Sequence, residues 1–390
     1  MNLKKTLFLT ELYPPLVGGT CTMFASRFGL YAPEKIVILT KAVPHAQDFD
    51  KHVNYQITRV PLQWKGPKGF EWLGVVWGLL KTGILLALKQ KVEIIQCARP
   101  LPEGIAGYVL AKVLFKKLVI NFQGEDISVL QNYRVERFLL KTIIRSAHLN
   151  LAISTFTENL VKALGGPNVR TGVIPPGFDP TLLKNLEPQK IVQLRQKFGG
   201  SPILLTVGRL QRRKGQDHVI RALPKVVEQF PEVKYLIIGS THGGTTGLQQ
   251  YLEEIIEETG MGKHVEILGE IGNQELPYYY AACDLFLMPN RFEPGGDVEG
   301  FGIVFLEAGF LGKSVIGGNS GGVPDAVQDG KTGLLVDGNS VEEIAQGILK
   351  ILSDDQFARK LGEQGKNFSL LMTYEKVFAQ YQLLMTKLGL

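Results

Sequence analysis

The chain has 390 residues, of which 45% are hydrophobic and 21% are charged. This length exceeds one ordinary hydrophobic core and predicts two domains, and the composition excludes a disordered, collagen-like or disulfide-scaffold protein. The net charge of +6 is unevenly placed: residues 1–178 hold 22 Lys and Arg against 11 Asp and Glu, whereas residues 179–390 hold 21 against 26. The basic half predicts an anionic partner, which leaves nucleic acid, a membrane surface and a phosphorylated substrate open.

The cysteines and the N-terminus indicate the compartment. Cys21, Cys97 and Cys283 lie far apart, without the spacing of a metal site or a disulfide framework. The apolar run at 7–9, which follows Lys4 and Lys5, is too short for a signal peptide. These features favour a cytoplasmic protein without a metal.

Short apolar, β-branched runs alternate with longer segments of helical period along the whole chain. The predicted strands are residues 6–10, 35–40, 57–62, 92–97, 117–123, 149–154, 169–175, 202–207, 233–239, 264–269, 284–288, 314–318 and 333–336. Such alternation predicts parallel sheets with right-handed crossovers. The expected fold class is therefore α/β, with two Rossmann-like domains facing a cleft.

The Pro-Pro-Gly sequence at 175–177 and the polar stretch that follows predict the domain boundary. We expect an N-terminal domain at 1–178 and a C-terminal domain at 179–370. A final helix at 371–390 is expected to pack back on the N-terminal domain. In open α/β sheets ligands bind beyond the carboxyl ends of the strands, so the loops there should carry the chemistry.

Two of these loops resemble anion sites. Gly18 and Gly19 follow the first strand where a helix should start, with Thr20 as a candidate cap; glycine admits a phosphate close to backbone amides, although simple turn geometry accounts for the pair equally well. In the sequence TVGRLQRRKGQDHVI, Arg209 and Lys214 stand at a strand end and a helix start, where both can reach a diphosphate. The alternative is that they are solvated, with Arg212 and Arg213 as spare surface charge.

The segment RFEPGGDVEGFGIVFLEAGFLG contains two carboxylates, Glu299 and Glu307. Glu307 falls within an apolar helical stretch, where burial is unfavourable unless the carboxylate accepts hydrogen bonds, for example from ribose hydroxyls. The alternatives are a structural carboxylate for Glu307 and an ordinary helix cap for Glu299. Downstream, the Ser-Gly-Gly sequence that begins at Ser320 is a second candidate anion cradle between a strand and a short helix.

Other patterns narrow the function. The first strand is not followed by GxGxxG, which disfavours a dehydrogenase, and the DxD string at 48–50 is predicted to be a surface loop rather than a metal-nucleotide site. The stretch 64–91 holds all three tryptophans with five lysines. Because Glu71 and Lys81 interrupt it, we expect a peripheral membrane contact rather than a span; a core helix is the alternative.

These motifs together resemble the retaining glycosyltransferases of family GT4, which have the GT-B fold. The resemblance covers nearly the whole chain, and it implies that the domain at 1–178 binds the acceptor and the domain at 179–370 binds the nucleotide sugar. It is strongest in the EX7E element from Glu299 to Glu307, in GRL…KG at 208–215, and in SGGVPDAV…GKTGLLV from Ser320. The segment DVEGFGIVFLEAG most resembles the corresponding sequence of GDP-mannose-dependent mannosyltransferases that act on phosphoinositide-type lipids.

The resemblance implies a role for each matching residue. Arg209, Lys214 and Glu299 would be catalytic: the two cations would stabilise the diphosphate leaving group and Glu299 would bind the sugar. Glu307 would hold the ribose hydroxyls. The remaining donor-binding residues would be Gly18, Gly19, Gln123, Gly269, Ile271, Gly300, Phe301, Gly302, Ser320 and Gly321.

One position departs from the family. Many members carry His-Gly after the fifth strand, whereas this chain has Gln123-Gly124. Glutamine can hydrogen-bond a sugar hydroxyl but cannot act as an acid or base near neutral pH, so proton transfer by a histidine at that place is excluded. The departure also raises the prospect of a different donor-sugar preference.

The sequence thus predicts a retaining, metal-independent hexosyltransferase that needs no cofactor beyond its nucleotide diphosphate sugar. The expected donor is GDP-mannose, the expected acceptor is lipid-linked or a membrane-presented glycan, and the expected location is the cytoplasm, with peripheral contact on the inner face of an anionic cell membrane. Nucleic acid is excluded because no recognition motif accompanies the charge. The alternatives are a nucleotide-sugar epimerase or a phosphorylase of the same fold and a non-catalytic nucleotide-sugar-binding protein.

Overall fold

The chain forms two compact α/β units. The computed structural model describes residues 3–16, 18–62, 71–241 and 245–390. Unit 1 comprises residues 1–177 and 374–390, and unit 2 comprises residues 178–373. The chain therefore returns to unit 1 for its last helix.

Unit 1 contains a seven-stranded parallel sheet of order β3-β2-β1-β4-β5-β6-β7. Its strands are β1 Thr6–Leu9, β2 Ile36–Lys41, β3 Gln56–Val60, β4 Ile94–Cys97, β5 Lys117–Phe122, β6 Leu149–Ala152 and β7 Thr171–Val173. Its helices are α1 Gly19–Gly29, α2 Ala46–Asp50, α3 Glu71–Lys89, α4 Glu103–Val113, α5 Glu125–Ser128, α6 Arg134–Ser146, α7 Thr155–Gly165 and, at the C-terminus, α16 Tyr374–Lys387. The central strands are buried along their length, as expected when both faces of a parallel sheet are covered by helices.

Unit 2 contains a six-stranded parallel sheet of order β10-β9-β8-β11-β12-β13. Its strands are β8 Ile203–Val207, β9 Lys234–Ile238, β10 Val265–Gly269, β11 Leu285–Met288, β12 Ser314–Gly318 and β13 Leu334–Val336. Its helices are α8 Pro188–Lys197, α9 Gln216–Val227, α10 Leu248–Glu258, α11 Leu276–Ala282, α12 Ile303–Phe310, α13 Val323–Ala326, α14 Val341–Leu352 and α15 Asp355–Ser369, with a short 3₁₀ turn at Arg212–Lys214.

One short helix differs from the sequence-based expectation. The DxD string at 48–50 is not a loop but the second half of α2. Asp50 accepts two hydrogen bonds from Arg59, at 2.8 Å from both Nε and Nη2. A bidentate guanidinium partner explains why this carboxylate has a fixed structural position.

Helix α3 is both a core helix and an exposed apolar surface. Its buried side chains, which include Val75, Leu79 and Leu86, belong to the core of unit 1. Trp77, in contrast, is 69% exposed and Leu85 is 66% exposed. Among the described residues, the segment Trp72–Lys89 is by length and composition apolar enough to cross a membrane. Because part of it is buried in the core of unit 1, the expectation of a peripheral contact rather than a span stays a prediction. Trp64 and the lysines at 65 and 68 lie outside the described residues.

The C-terminal helix α16 contributes to the core of unit 1. Tyr381 is fully buried, receives a hydrogen bond from the Tyr31 hydroxyl at 2.6 Å and donates one to the Gln96 side chain at 2.9 Å. The buried Arg27 guanidinium lies 5.7 Å from the centre of the Tyr381 ring and donates to the Pro175 carbonyl. Removing residues 374–390 would therefore leave polar groups unpaired within the core.

Candidate active site

Most of the predicted site residues lie on loops that follow neighbouring strands of unit 2. These loops leave the carboxyl ends of β8, β10, β11 and β12, which share one edge of the parallel sheet. Helix α12 starts at this edge and carries Glu307. This is the edge at which open α/β sheets bind their ligands.

Glu299 is at the centre of a cluster of charged and polar groups. Its Oε2 atom accepts a hydrogen bond from Arg213 Nη1 at 2.6 Å and a second, short one from Lys214 Nζ, while the Nδ2 atom of Asn290 lies 3.5 Å away. Burial would raise the pKa of Glu299, but Lys214 and Arg213 outweigh burial and lower that pKa to about 2. Glu299 is therefore a carboxylate held in one orientation and ionised at every physiological pH.

The alternative interpretations of this region hold only in part: Arg209 and Arg212 are exposed, but Glu299 and Arg213 do not have the positions that the alternatives give them. Glu299 does not cap α12, because the N-cap residue is Gly302, with φ 94°. Arg213 is not spare surface charge, because its side chain is buried and pairs with Glu299 and, at 3.0 Å, with Asp297. The sequence analysis did not predict site roles for Arg213 and Asn290. The Arg-Arg-Lys sequence at 212–214 is evident, but the 3₁₀ turn determines which of its side chains is buried beside Glu299.

Arg209 and Lys214 are close enough to interact electrostatically. Arg209 is exposed, whereas Lys214 is 91% buried, with its Nζ atom near Gly208. Burial lowers the pKa of Lys214, Glu299 opposes this effect, and the nearby Arg213 and Arg209 add to it. The structure thus places two cations on the Glu299 carboxylate and a third, Arg209, near Lys214, an arrangement that favours a further anion.

A buried ion pair ties two of the loops together. Arg291, which follows β11, donates from Nη1 and Nη2 to the two carboxylate oxygens of Asp217 at 2.8 and 3.0 Å. Its backbone amide also donates to the Arg213 carbonyl at 3.0 Å. Since Asp217 is in the first turn of α9, this pair holds the β8–α9 loop against the loop that carries Glu299.

Glu307 lies in α12, as the sequence predicts, and has one specific partner. The Tyr280 hydroxyl donates to Glu307 Oε2 at 2.7 Å. Burial raises the pKa of Glu307, and the hydrogen bond from Tyr280 acts in the opposite direction. This tyrosine is 27 residues away on α11, so no local pattern in the sequence points to the pair.

The Ser-Gly-Gly turn after β12 packs directly against the backbone of Glu299. The Gly322 amide donates to the Glu299 carbonyl at 2.9 Å, and Gly321 has a left-handed φ of +58°. A Cβ atom at Gly321 would lie 2.4 Å from the Glu299 carbonyl oxygen, so only glycine fits. Among the described residues, the buried Ser320 hydroxyl has no hydrogen-bond partner, and Ser320 thus lies beside Glu299 with an unused donor and acceptor.

The remaining donor-site candidates of unit 2 occupy the same edge. Gly269 ends β10 with φ +69°, and its carbonyl accepts from the Gly239 amide at 2.8 Å. Ile271 follows in the same loop and is half-buried. Gly300 and the buried Phe301 connect Glu299 to the N-cap of α12.

Gly18, Gly19 and Gln123 belong to unit 1. Helix α1 begins at Gly19 with Gly18 as its N-cap residue, and no side chain caps it. Thr20 is therefore not the cap; it lies inside the first turn. A Cβ atom at Gly18 would meet only Cys21 Sγ, at 3.9 Å, and one at Gly19 would meet nothing within 4 Å, so packing within unit 1 does not require glycine here.

Gln123 follows β5 and starts a tight turn. Its backbone amide donates to both carboxylate oxygens of Asp126, at 2.9 and 3.1 Å. Within the part of the chain that the structure describes, the buried Nε2 of Gln123 has no partner. Burial raises the pKa of Asp126 to about 7, although the amides of Gln123 and Gly124 and the nearby Arg99 oppose the shift.

The sequence of unit 2 matches a known family. Residues 189–368 match the family of glycosyl transferases group 1. This part of the chain is therefore similar to group 1 glycosyltransferase domains. The match confirms the predicted GT4 resemblance, and every site residue described above for unit 2 lies within the matched segment.

Two curated relatives match over most of the length of this chain. A GDP-mannose-dependent alpha-(1-6)-phosphatidylinositol monomannoside mannosyltransferase from Mycolicibacterium smegmatis is 29% identical over 373 residues, which is 93% of each chain. A GDP-mannose-dependent monoacylated alpha-(1-6)-phosphatidylinositol monomannoside mannosyltransferase from Corynebacterium glutamicum is 28% identical, covering 93% of this chain and 92% of its own.

Solved structures confirm the predicted fold. The Anabaena protein HepE, crystallised with UDP and glucose, superimposes with a TM-score of 0.78 at 22% identity, over 98% of this chain and 100% of its own. The matched segment thus lies in one of the two Rossmann-like domains of a GT-B fold.

Proposed function

We propose that this protein is a retaining, metal-independent glycosyltransferase that moves mannose from GDP-mannose to a hydroxyl group of a lipid-linked acceptor. The observation that carries the proposal is the convergence of Arg213 and Lys214 on the Glu299 carboxylate inside the segment that matches group 1 glycosyltransferases. Such a site offers cations for a diphosphate and a fixed carboxylate for a sugar. The names of the two full-length relatives support mannose and a phosphoinositide acceptor.

In this proposal the reaction begins at the leaving group. The bond between the anomeric carbon and the diphosphate oxygen breaks, and negative charge develops on the phosphate. Arg209 and Lys214 stabilise that charge, which is the role a metal ion has in other transferases. The acceptor hydroxyl attacks from the same face of the sugar, and its proton passes to the departing phosphate, so no protein base is needed.

The carboxylates then have binding roles. Glu299 and the amides of the Gly300–Gly302 segment hold the sugar, and Glu307 accepts hydrogen bonds from the ribose hydroxyls. Lys214 contacts Glu299 directly, so sugar position and leaving-group stabilisation are coupled through one ion pair. In unit 1, the Gln123 side-chain amide can form a hydrogen bond with a sugar hydroxyl but cannot act as an acid or a base.

The acceptor side of the proposal rests on unit 1. Trp72, Trp77 and Leu88 are exposed on α3, and Lys81 and Lys89 are exposed beside them. Aromatic and aliphatic side chains with flanking lysines suit the interface of an anionic membrane. We therefore propose peripheral contact with the inner face of the cell membrane through this surface.

A direct test of the reaction uses purified protein, a panel of GDP-, UDP- and ADP-sugars, and phosphatidylinositol monomannoside in micelles. We expect GDP-mannose to raise the melting temperature most, because a ligand that binds only the folded state stabilises it. We also expect an α-linked mannosyl product whose yield is unaffected by EDTA. Release of an altered free sugar without acceptor would instead identify an epimerase, and binding without turnover would leave a non-catalytic protein.

The membrane contact has a separate test. Vesicles with and without anionic lipid are sedimented with the wild type, with a Trp77→Ser/Leu88→Ser double variant, and with Phe292→Ser as a control in an exposed aromatic residue of unit 2. Binding that depends on anionic lipid and is lost only in the double variant supports the proposal. Equal sedimentation of all three proteins refutes the contact while leaving the transferase reaction intact.

A further inference from the structure

Unit 1 contains an apolar groove that the proposed chemistry does not use. The groove has a volume of about 480 Å³ and lies between α3, α4 and α6. Its lining includes Trp72, Leu101, Ile105, Val135, Leu139 and one carboxylate, Glu136. Val135 is 66% exposed and Trp72 is 39% exposed, so two large apolar side chains at the groove are open to solvent. Exposed apolar groups that converge from three helices indicate a binding surface.

The groove is separated from a polar cluster by a few residues of chain. Arg99, directly after β4, donates to Glu11 at 3.1 Å and to Glu103 at 3.0 Å. The Arg99 and Glu11 side chains are each 25% exposed. Leu101, which lines the groove, stands between Arg99 and Glu103, and Ile105 follows on the first turn of α4. The segment 99–105 therefore has polar groups at the carboxyl edge of the sheet and apolar groups in the groove.

The surroundings of the groove favour an amphiphile. Trp72 lines the groove and also belongs to the exposed apolar surface of α3, so the groove is continuous with the proposed membrane contact. A peptide helix or a second copy of the chain would satisfy the apolar lining, but would have no reason to match the polar cluster beside it. A lipid has both parts in one molecule, an apolar chain and a hydroxyl-bearing head.

We propose that this groove holds an acyl chain of the lipid acceptor while the head group lies at the Glu11–Arg99 cluster. The inference rests on the proposed function and names a part of its substrate. It assigns Trp72, Ile105, Val135 and Leu139 as acyl-chain contacts. It also predicts that the enzyme distinguishes an acylated acceptor from the same head group without its chains.

The kinetic test compares two acceptors and two matched variants. The acceptors are phosphatidylinositol monomannoside in neutral detergent micelles and its deacylated, water-soluble counterpart. Val135→Asp places a charge in the groove, and Val113→Asp places the same charge at the far end of α4, where Val113 is 59% exposed and also lies among lysines. Because both valines are exposed, neither change should affect folding.

We expect Val135→Asp to raise KM for the lipid at least about tenfold, since a carboxylate in an apolar site opposes chain binding, and to leave turnover of the deacylated acceptor unchanged. Val113→Asp should change neither, and Val135→Leu should behave as wild type. If both aspartate variants raise KM equally, the acyl chain remains in the micelle and does not bind in the groove, which would refute the proposal. An equal loss on both acceptors would overturn it as well.

A binding measurement separates this inference from the proposed reaction. In a Trp64→Phe/Trp77→Phe background, Trp72 is the only tryptophan, and a short-chain phosphatidylinositol brominated on its acyl chains is added below its micelle concentration. Quenching of Trp72 that disappears with Val135→Asp but not with Val113→Asp supports the groove even if no transfer is found. Absence of quenching in the parent protein overturns the groove even if GDP-mannose is turned over.

Discussion

Arg213 Nη1 lies 2.6 Å from Glu299 Oε2, although 86 residues separate the two in the chain. Arg213 is one of two cations that hold the pKa of Glu299 at about 2 against the effect of burial. The contact makes Arg213 a positioning residue for Glu299. Its neighbour Arg212 is exposed and lies over the Tyr251 ring instead, 4.6 Å from its centre.

We predict that Arg213→Ala lowers kcat/KM by a factor of about 10 to 100, the usual effect of removing a hydrogen bond to a charged group. The pKa of Glu299 should move upward from about 2, so the acid limb of the pH profile should shift to higher pH. Steady-state kinetics from pH 4 to 8 measure both effects. Arg212→Ala is the matched control and should retain wild-type kinetics; the same loss in both variants would contradict the assignment.

Arg209 and Lys214 are predicted to act on the leaving group. Arg209→Ala or Lys214→Ala should lower kcat at least about a hundredfold, because each removes a cation from the site where charge develops. Rapid-quench measurement of a single turnover reports the chemical step directly. Lys225→Ala, which removes an exposed lysine of α9 paired with Glu342, should have no effect. Near-normal turnover in both site variants would refute the leaving-group role.

The sequence predicts the strands because each is a short continuous apolar run bounded by turn residues. All thirteen predicted strands are present, with bounds that differ by at most two residues at either end. Burial on both faces explains this agreement, since a covered parallel strand cannot tolerate polar residues. The short α2 was missed because five residues give too little periodicity.

The site is only partly predictable for a different reason. Glu299 and Lys214 are recognisable because each stands in a motif beside a strand end. Tyr280 is missed because its pairing with Glu307 depends on how α11 and α12 pack, and adjacent residues give no sign of that contact. Arg213 is missed because three consecutive cations look alike until the chain turns.

The Tyr280–Glu307 pair predicts an effect on donor binding. Tyr280→Phe leaves the fold intact but removes the hydroxyl that fixes Glu307 Oε2, and the pKa of Glu307, already raised by burial, should rise further. We expect the Kd for the nucleotide donor to increase about tenfold, the result of losing roughly 1.4 kcal/mol. Calorimetric titration measures it, with Tyr279→Phe on the same helix as the control. A lower melting temperature with unchanged Kd would limit Glu307 to a structural role.

Gly321 predicts a steric effect that can be separated from backbone strain. Gly321→Ala places a methyl group 2.4 Å from the Glu299 carbonyl oxygen at a residue with φ +58°. Gly330→Ala introduces the same left-handed strain, at φ +66°, but the methyl group meets nothing within 4 Å. Both should lose about 1–3 kcal/mol of unfolding free energy through strain. Only Gly321→Ala should also lower kcat/KM, because the added methyl group displaces the Ser-Gly-Gly turn from Glu299. If the two variants have equal kcat/KM, the turn does not belong to the active site.

Asp126 predicts a pH-dependent stability. Burial raises its pKa from 3.8 to about 7 in the folded chain. Between these values the folded protein holds a proton that the unfolded chain has released, so the contribution of Asp126 to stability falls as pH rises from about 4 to about 7 and is constant above. The variant Asp126→Asn cannot ionise, so this pH dependence of stability is absent from it.

The stability of the variant relative to wild type should therefore increase between pH 5 and pH 8. A constant loss of stability is superimposed, because the asparagine forms a weaker hydrogen bond with the Gln123 amide. Urea unfolding at both pH values measures the difference, and a difference that is the same at pH 5 and pH 8 would mean that Asp126 is ionised in the folded protein throughout.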